Sequence, residues 1–278
     1  MTEQRVLTLG FSPCPNDTYI FNALVHGRVA LSRCSLASVH LEDVETLNDW
    51  ALQQHLDITK LSFHALGHVQ DHYALLRAGA ALGRGCGPLL ITGTGNKPGK
   101  MADWTIAIPG IYTTAALLLR LYQPACRQLV VMRFDRIMEA VAKGEVDGGV
   151  VIHESRFTYR ELGLHCMQDL GEWWEQATGL PIPLGCIAAK KSLSPDIRDD
   201  IEQAIAASIR WAKSHPAEGW DYIQAHAQEM DPHVMQSHIG LYVNEYSMEL
   251  GEEGLHAVRE LLRRGAAAGL FAAGSERA

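Results

Sequence analysis

Glu145-Val146-Asp147-Gly148-Gly149-Val150-Val151-Ile152-His153-Glu154-Ser155-Arg156-Phe157-Thr158-Tyr159 reads as a short apolar strand that gives way, at His153, to a polar segment able to start a helix. In open α/β sheets, ligands gather outside the carboxyl ends of the strands, where helix N-termini also point. An imidazole at such a joint is placed for proton chemistry near neutral pH; the alternative is a structural histidine satisfied by its surroundings. Glu154 or Ser155 could orient the His153 ring or cap the next helix, and Arg156 could pair with Glu154 or bind an anion.

Outward from this joint, strand-like and helical runs alternate. Val6 to Phe11 predicts a strand, and Thr18 to His26 a helix closed by Gly27. Ser38 to Val44 predicts a second strand, Thr46 the cap of a helix to about Gln54, and Ile58 to Leu61 a third strand with Ser62 capping the next helix. Trp104 to Ile108 and Gly148 to Ile152 are further strands, with helices near Thr114 to Tyr122 and Arg136 to Lys143 between them. Alternation of this kind predicts mainly parallel sheets with crossover helices. From Pro195 to Gly269 the periodicity is helical, with a new helix at Asp231-Pro232 and a frayed tail over Gly274 to Ala278.

Leu56 to His64 can be laid over Val146 to Glu154, each a strand leading into a joint that bears histidine. Two similar lobes facing each other would give this echo, and so would any pair of strand-helix joints. The irregular segments Gly83-Arg84-Gly85-Cys86-Gly87-Pro88 and Leu180-Pro181-Ile182-Pro183-Leu184-Gly185 are the candidate crossings. They divide the α/β chain into a larger lobe, 1–89 with 185–278, and an inserted lobe, 90–184, closing on a cleft about Gly87 and Gly185.

The formal net charge of -8 argues against a nucleic-acid partner, since phosphate binding requires a basic surface. No apolar run approaches the length of a membrane span, and Met1 to Gly10 holds no apolar core long enough to be expected to act as a secretory signal. Six scattered cysteines without a C-x-x-C pair fit a reducing cytoplasm rather than a disulfide framework or zinc cluster. The helical region is compatible with a monomer or a homodimer.

Ser12-Pro13-Cys14-Pro15-Asn16-Asp17-Thr18 comes directly after the first strand as a rigid turn, from which Ser12, Asn16 or Thr18 could bond a polar ligand or simply cap a helix. Pro109-Gly110-Ile111-Tyr112-Thr113-Thr114 is a second such joint, whose amides and threonines suit a carboxylate more than a nucleotide, because neither a Walker loop nor G-x-G-x-x-G is present. His64, His68 and His72 share one helical face, read as partly exposed rather than metal-binding because no further ligand type is near. Trp173-Trp174 could wall a pocket or pack the core, and Cys14 and Cys86 lack the neighbours of a nucleophile.

The segments Gly10 to Thr18, Glu42 to Asn48, Thr59 to Ser62, Pro109-Gly110 with Thr113-Thr114, Ile152 to Tyr159 and Thr178 to Gly185 together resemble the 1,4-dihydroxy-6-naphthoate synthase family of the futalosine route to menaquinone, in order over nearly the whole chain. The resemblance implies a two-lobed fold like that of type II periplasmic binding proteins and a cytoplasmic carbon-carbon lyase. Cyclic dehypoxanthine futalosine would be the substrate, with no metal or organic cofactor and no membrane partner. It places the family's proposed base on His153. On that reading Thr113, Thr114 and nearby amides would hold a substrate carboxylate, and Ser12, Asn16, Thr18 and Ser62 would face it from the other lobe. Chorismate dehydratase of the same fold and route, and a non-catalytic small-carboxylate-binding protein, are the rival readings.

Overall fold

The structure, a computed structural model, describes residues 5–93, 100–153, 155–228 and 231–271. The tail expected over Gly274 to Ala278 lies outside them. Among the described residues, eleven strands form two sheets. The first contains β1 (Arg5–Phe11), β2 (Cys34–Leu41), β3 (Ile58–Ser62), β4 (Tyr73–Leu75), β5 (Ala81–Gly83) and β11 (Ile182–Lys190), in the order β2-β1-β3-β11-β4 with β5 also on β11. The second runs β10-β6-β9-β7-β8, from β6 (Leu89–Thr92), β7 (Thr105–Ile108), β8 (Gln128–Val131), β9 (Gly148–Val151) and β10 (His165–Asp169). The chain thus leaves the first sheet after Gly83 and rejoins it at Ile182.

The expectation of mainly parallel sheets is corrected: both are mixed. The β1–β2, β1–β3, β7–β8 and β7–β9 pairs are parallel, as crossover connections within a sheet demand. β6 and β11, the first strands after each crossing, are antiparallel to every neighbour. A strand that arrives from the other sheet carries no crossover constraint and enters from the opposite end.

Helices α1 (Pro15–Val25), α2 (Val44–Leu52), α3 (Phe63–Val69), α4 (Thr114–Tyr122), α5 (Phe134–Ala142), α6 (Ser155–Thr158) and α7 (Leu170–Thr178) cover the sheets. The C-terminal region adds α8 (Pro195–Ser214), α9 (Trp220–His226), α10 (Pro232–Tyr242), α11 (Glu245–Met248) and α12 (Gly251–Ala267). Asp43, not Thr46, caps α2: its Oδ1 accepts from the Glu45 and Thr46 amides at 2.9 and 3.1 Å. One apolar core packs α1 and α8 on the first sheet, with Phe21, Ile201 and Ile205 fully buried. Another runs between the sheets, joining Phe63, Leu117, Trp174, Ile182 and Leu261. Burial of this kind is worth about 1.5–3 kcal/mol per large apolar side chain, so the sheets are held over a shared core. Among the described residues no helix is long and apolar enough to cross a membrane.

The supposed hinge glycines have other uses. A Cβ on Gly87 would stand 2.3 Å from the Gly171 backbone, so glycine is needed there for close approach. Gly185 lies inside β11, paired with Ser62 on one side and Ala81 on the other. Its strand escapes notice in the sequence because Pro183 and Gly185 read as breakers. Pairing with β3 begins only at Gly185, so the amide that Pro183 lacks is not needed on that side.

Candidate active site

The ends of β1, β3 and β9 and the start of α4 converge on a cavity of about 680 Å³, counted out to its open mouth. Ser12, Asn16, Ser62, Thr113, Thr114 and His153 all line it. Thr18, expected among the ligand contacts, does not: it is fully buried, and its hydroxyl donates to the carbonyls of Cys14 and Pro15 at 3.0 and 3.2 Å. The joint after β3 supplies Ser62 and the joint after β9 supplies His153, so the two similar segments meet at one cavity.

His153 has φ +56°, in the left-handed region that glycine adopts freely and that other residues, even the more tolerant asparagine, aspartate and histidine, occupy only occasionally. Such backbone is kept only where its surroundings enforce it. The Phe134 ring meets the imidazole edge-on at 5.2 Å, His238 lies parallel to it at 6.0 Å, and Cys14 Sγ stands 3.6 Å from Nδ1. Among the described residues Nε2 has no hydrogen-bonding partner. Burial depresses the imidazole pKa to about 4; Asp17 and Asp43 oppose that shift and Lys60 adds to it. His153 is therefore neutral at pH 7, the form that accepts a proton.

Behind it lies a polar floor only partly legible in the sequence. Asp17 and Lys60 form an ion pair of 2.5 Å with side chains 2% and 7% exposed. Asp17 also accepts from Ser12 Oγ at 2.7 Å and from Asn16 Nδ2 at 2.8 Å. Because the Asn16 amide nitrogen faces Asp17, its Oδ1 accepts from His238 Nε2 at 2.8 Å, which puts the proton of that histidine on Nε2. Burial holds His238 well below the usual histidine range. The signal for this floor is a lysine inside the otherwise uncharged strand Ile58-Thr59-Lys60-Leu61-Ser62, where a buried ammonium requires a partner. Nothing in the α10 pattern singles out His238.

The threonine joint is built differently from the expectation. Thr113 Oγ1 donates to the Gly110 carbonyl at 2.8 Å while capping α4, and Thr114 Oγ1 donates to the Leu184 carbonyl at 2.6 Å. The Tyr112 amide donates to Glu45 Oε1 at 3.2 Å. A Cβ on Gly110 would fall 2.2 Å from the Glu45 carboxyl carbon, so that carboxylate rests directly on the backbone before α4. A carboxylate does sit on these amides, and it comes from α2. Asn48 bonds both Glu45 Oε2 and the Ser62 hydroxyl, at 3.1 and 3.2 Å.

The histidine face is corrected. α3 ends at Val69, which leaves His72 outside it, and His64 is buried with Nδ1 3.1 Å from the Thr113 carbonyl. Burial takes its pKa down to about 3. Among the described residues no three histidine, cysteine or acidic groups are arranged to hold a metal ion. Trp174 is core, its Nε1 donating to the Pro181 carbonyl at 3.0 Å, and Trp173 packs on Tyr122. Arg156 bonds Asp169 and the Gly85 carbonyl at 2.8 Å each, clamping the crossing segment; Glu154 lies outside the described residues. Cys86 lines the cavity as a thiol, pushed up to about 12 by burial.

Residues 7–267 match the profile of a family described as menaquinone biosynthesis. A 1,4-dihydroxy-6-naphtoate synthase of Thermus thermophilus is 49% identical over 96% of this chain and 97% of its own. A 1,4-dihydroxy-6-naphtoate synthase of Streptomyces coelicolor is 46% identical over 96% and 95%. Among solved structures, a protein of Archaeoglobus fulgidus superposes with a TM-score of 0.88 at 34% identity, over 95% of this chain and 98% of its own. The periplasmic aliphatic sulphonate binding protein of Escherichia coli gives 0.66 at 11% identity, over 97% and 89%, a likeness of fold alone. With a binding-protein-like α/β fold and 46–49% identity to these synthases over nearly its full length, the chain belongs to the menaquinone biosynthesis family.

Proposed function

We propose that the chain is a carbon-carbon lyase that converts cyclic dehypoxanthine futalosine to 1,4-dihydroxy-6-naphthoate. The substrate would lie in the cavity between an inserted lobe, 90–184, and the remainder of the chain. His153 is the general base. The observation that carries this reading is a neutral imidazole on the cavity wall, held in left-handed backbone, with Nε2 uncommitted among the described residues. His153 takes a proton from the sugar-derived part of the substrate, which triggers cleavage and aromatisation. The new aromatic ring supplies the driving force, so the site needs chiefly to orient and deprotonate. Ser12, Asn16, Ser62, Thr113 and Thr114 supply the polar wall against which the ligand orients.

Purified protein incubated anaerobically with cyclic dehypoxanthine futalosine is expected to release 1,4-dihydroxy-6-naphthoate, read by mass and absorbance. Tight binding without product would replace the lyase by a carboxylate-binding protein. Turnover of chorismate instead would make it a dehydratase.

A further inference from the structure

Among the described residues, the hydrogen bonds around the cavity leave one charged donor with N–H groups to spare. Ser12 Oγ donates to Asp17, Thr113 Oγ1 to Gly110 and Thr114 Oγ1 to Leu184, while Asn16 is bonded to Asp17 and His238. Ser62 accepts from Asn48 and keeps its own proton, as a neutral donor. The Lys60 ammonium carries three N–H groups, and among the described residues Asp17 is its one acceptor. Asp17, in turn, accepts from Lys60, Asn16 and Ser12, which fixes its carboxylate beneath the ammonium. The lysine stem runs over Gly185, where a Cβ would stand 3.2 Å from Lys60 Cε. A glycine in β11 thus clears the path that brings a buried cation to the cavity wall.

We propose that Lys60 is a catalytic residue: its ammonium, pinned by Asp17 as the positioning residue, hydrogen-bonds the ring carbonyl oxygen of the substrate, which gains negative charge as the carbon-carbon bond breaks. This deepens the lyase reading and rests on it. A sugar-derived hydroxyl gives its proton to His153, and its O–H pair becomes a C=O bond. The adjoining carbon-carbon bond breaks, and its electron pair passes into the ring to end on a ring carbonyl oxygen. That oxygen becomes one of the two hydroxyls of the aromatic product once the imidazolium returns a proton. Lys60 remains an ammonium throughout. A charged donor in a water-poor site is suited to this duty, because it meets charge that exists only as the reaction proceeds.

Loss of one such donor costs about 10²–10³-fold in kcat. Lys60→Met is expected to show that fall with little change in KM, and Lys60→Arg to recover part of it. Removing one partner of a buried ion pair can unfold a protein where removing both does not. The double variant Asp17→Asn with Lys60→Met therefore keeps the test available, with the same loss expected. A second readout uses 1,4-dihydroxy-6-naphthoate itself, bound anaerobically at pH 7.5. Held by Lys60 it should absorb as the red-shifted naphtholate anion in wild type and Lys60→Arg, and as the neutral diol in the methionine variants. Wild-type turnover with folded methionine variants within threefold of it, or a bound-product spectrum that is the same in all proteins, overturns the role of Lys60. Absence of product from wild type strikes the lyase reading instead.

Discussion

His153→Asn should fold as wild type does and lose about 10²–10⁴-fold in kcat, the usual contribution of a positioned general base. Asparagine suits the test because it tolerates the left-handed backbone at φ +56° and cannot accept a proton at neutral pH. Alanine lacks the short polar side chain that lets asparagine visit this region, and a lower yield of folded protein would blur the result. The side chain touches Phe134 and Cys14 without anchoring the core, so circular dichroism and KM should change little. Turnover within threefold of wild type would remove His153 from the chemistry and leave it as a wall of the cavity.

Acid should destabilise the protein well before its carboxylates are protonated. His64 and His238 are each no more than 1% exposed, and burial holds both below the ordinary histidine pKa, His64 at about 3. In the unfolded chain both protonate near pH 6.5, while the native state excludes those protons. Stability is therefore full above pH 6.5 and falls as the pH drops through it. At pH 5 His64 should have cost about 2 kcal/mol, with His238 acting in the same direction, against a total that is commonly 5–15 kcal/mol. Urea unfolding between pH 8 and pH 5 reads this directly. His64→Asn retains a donor for the Thr113 carbonyl, and His238→Gln one for Asn16; each variant should flatten the profile by about one proton. A wild-type profile that is level across this range would mean that the native state admits the protons after all.

How far the sequence reveals the molecule depends on which property each residue carries. Pattern and punctuation locate β1, β3, β7, β9 and α4 closely, because these are apolar runs bounded by glycine, proline and N-cap residues. β10 is missed because His165-Cys166-Met167-Gln168-Asp169 is a polar edge strand with no alternation. β11 is missed because its useful residues, Pro183 and Gly185, look like loop. Ser12 and His153 stand out because they come directly after strands. Asp17 lies inside the Ser12 to Thr18 turn, yet its bond to Lys60 spans 43 positions, and no local pattern encodes that approach. His238 comes from 222 positions away, on a helix whose periodicity gives no sign of it. The threonine hydroxyls look free in the sequence, because a sequence does not show which carbonyls will lie beside them.

The central claim is that a neutral imidazole at position 153 removes the proton that starts carbon-carbon cleavage. His153→Gly tests it most directly, since glycine accepts φ +56° without strain and leaves a space of imidazole size beside Phe134 and Cys14. The variant should be inactive alone and should regain turnover of cyclic dehypoxanthine futalosine when free imidazole is added, in proportion to the neutral form of the additive. Full turnover by His153→Gly without imidazole would contradict the account.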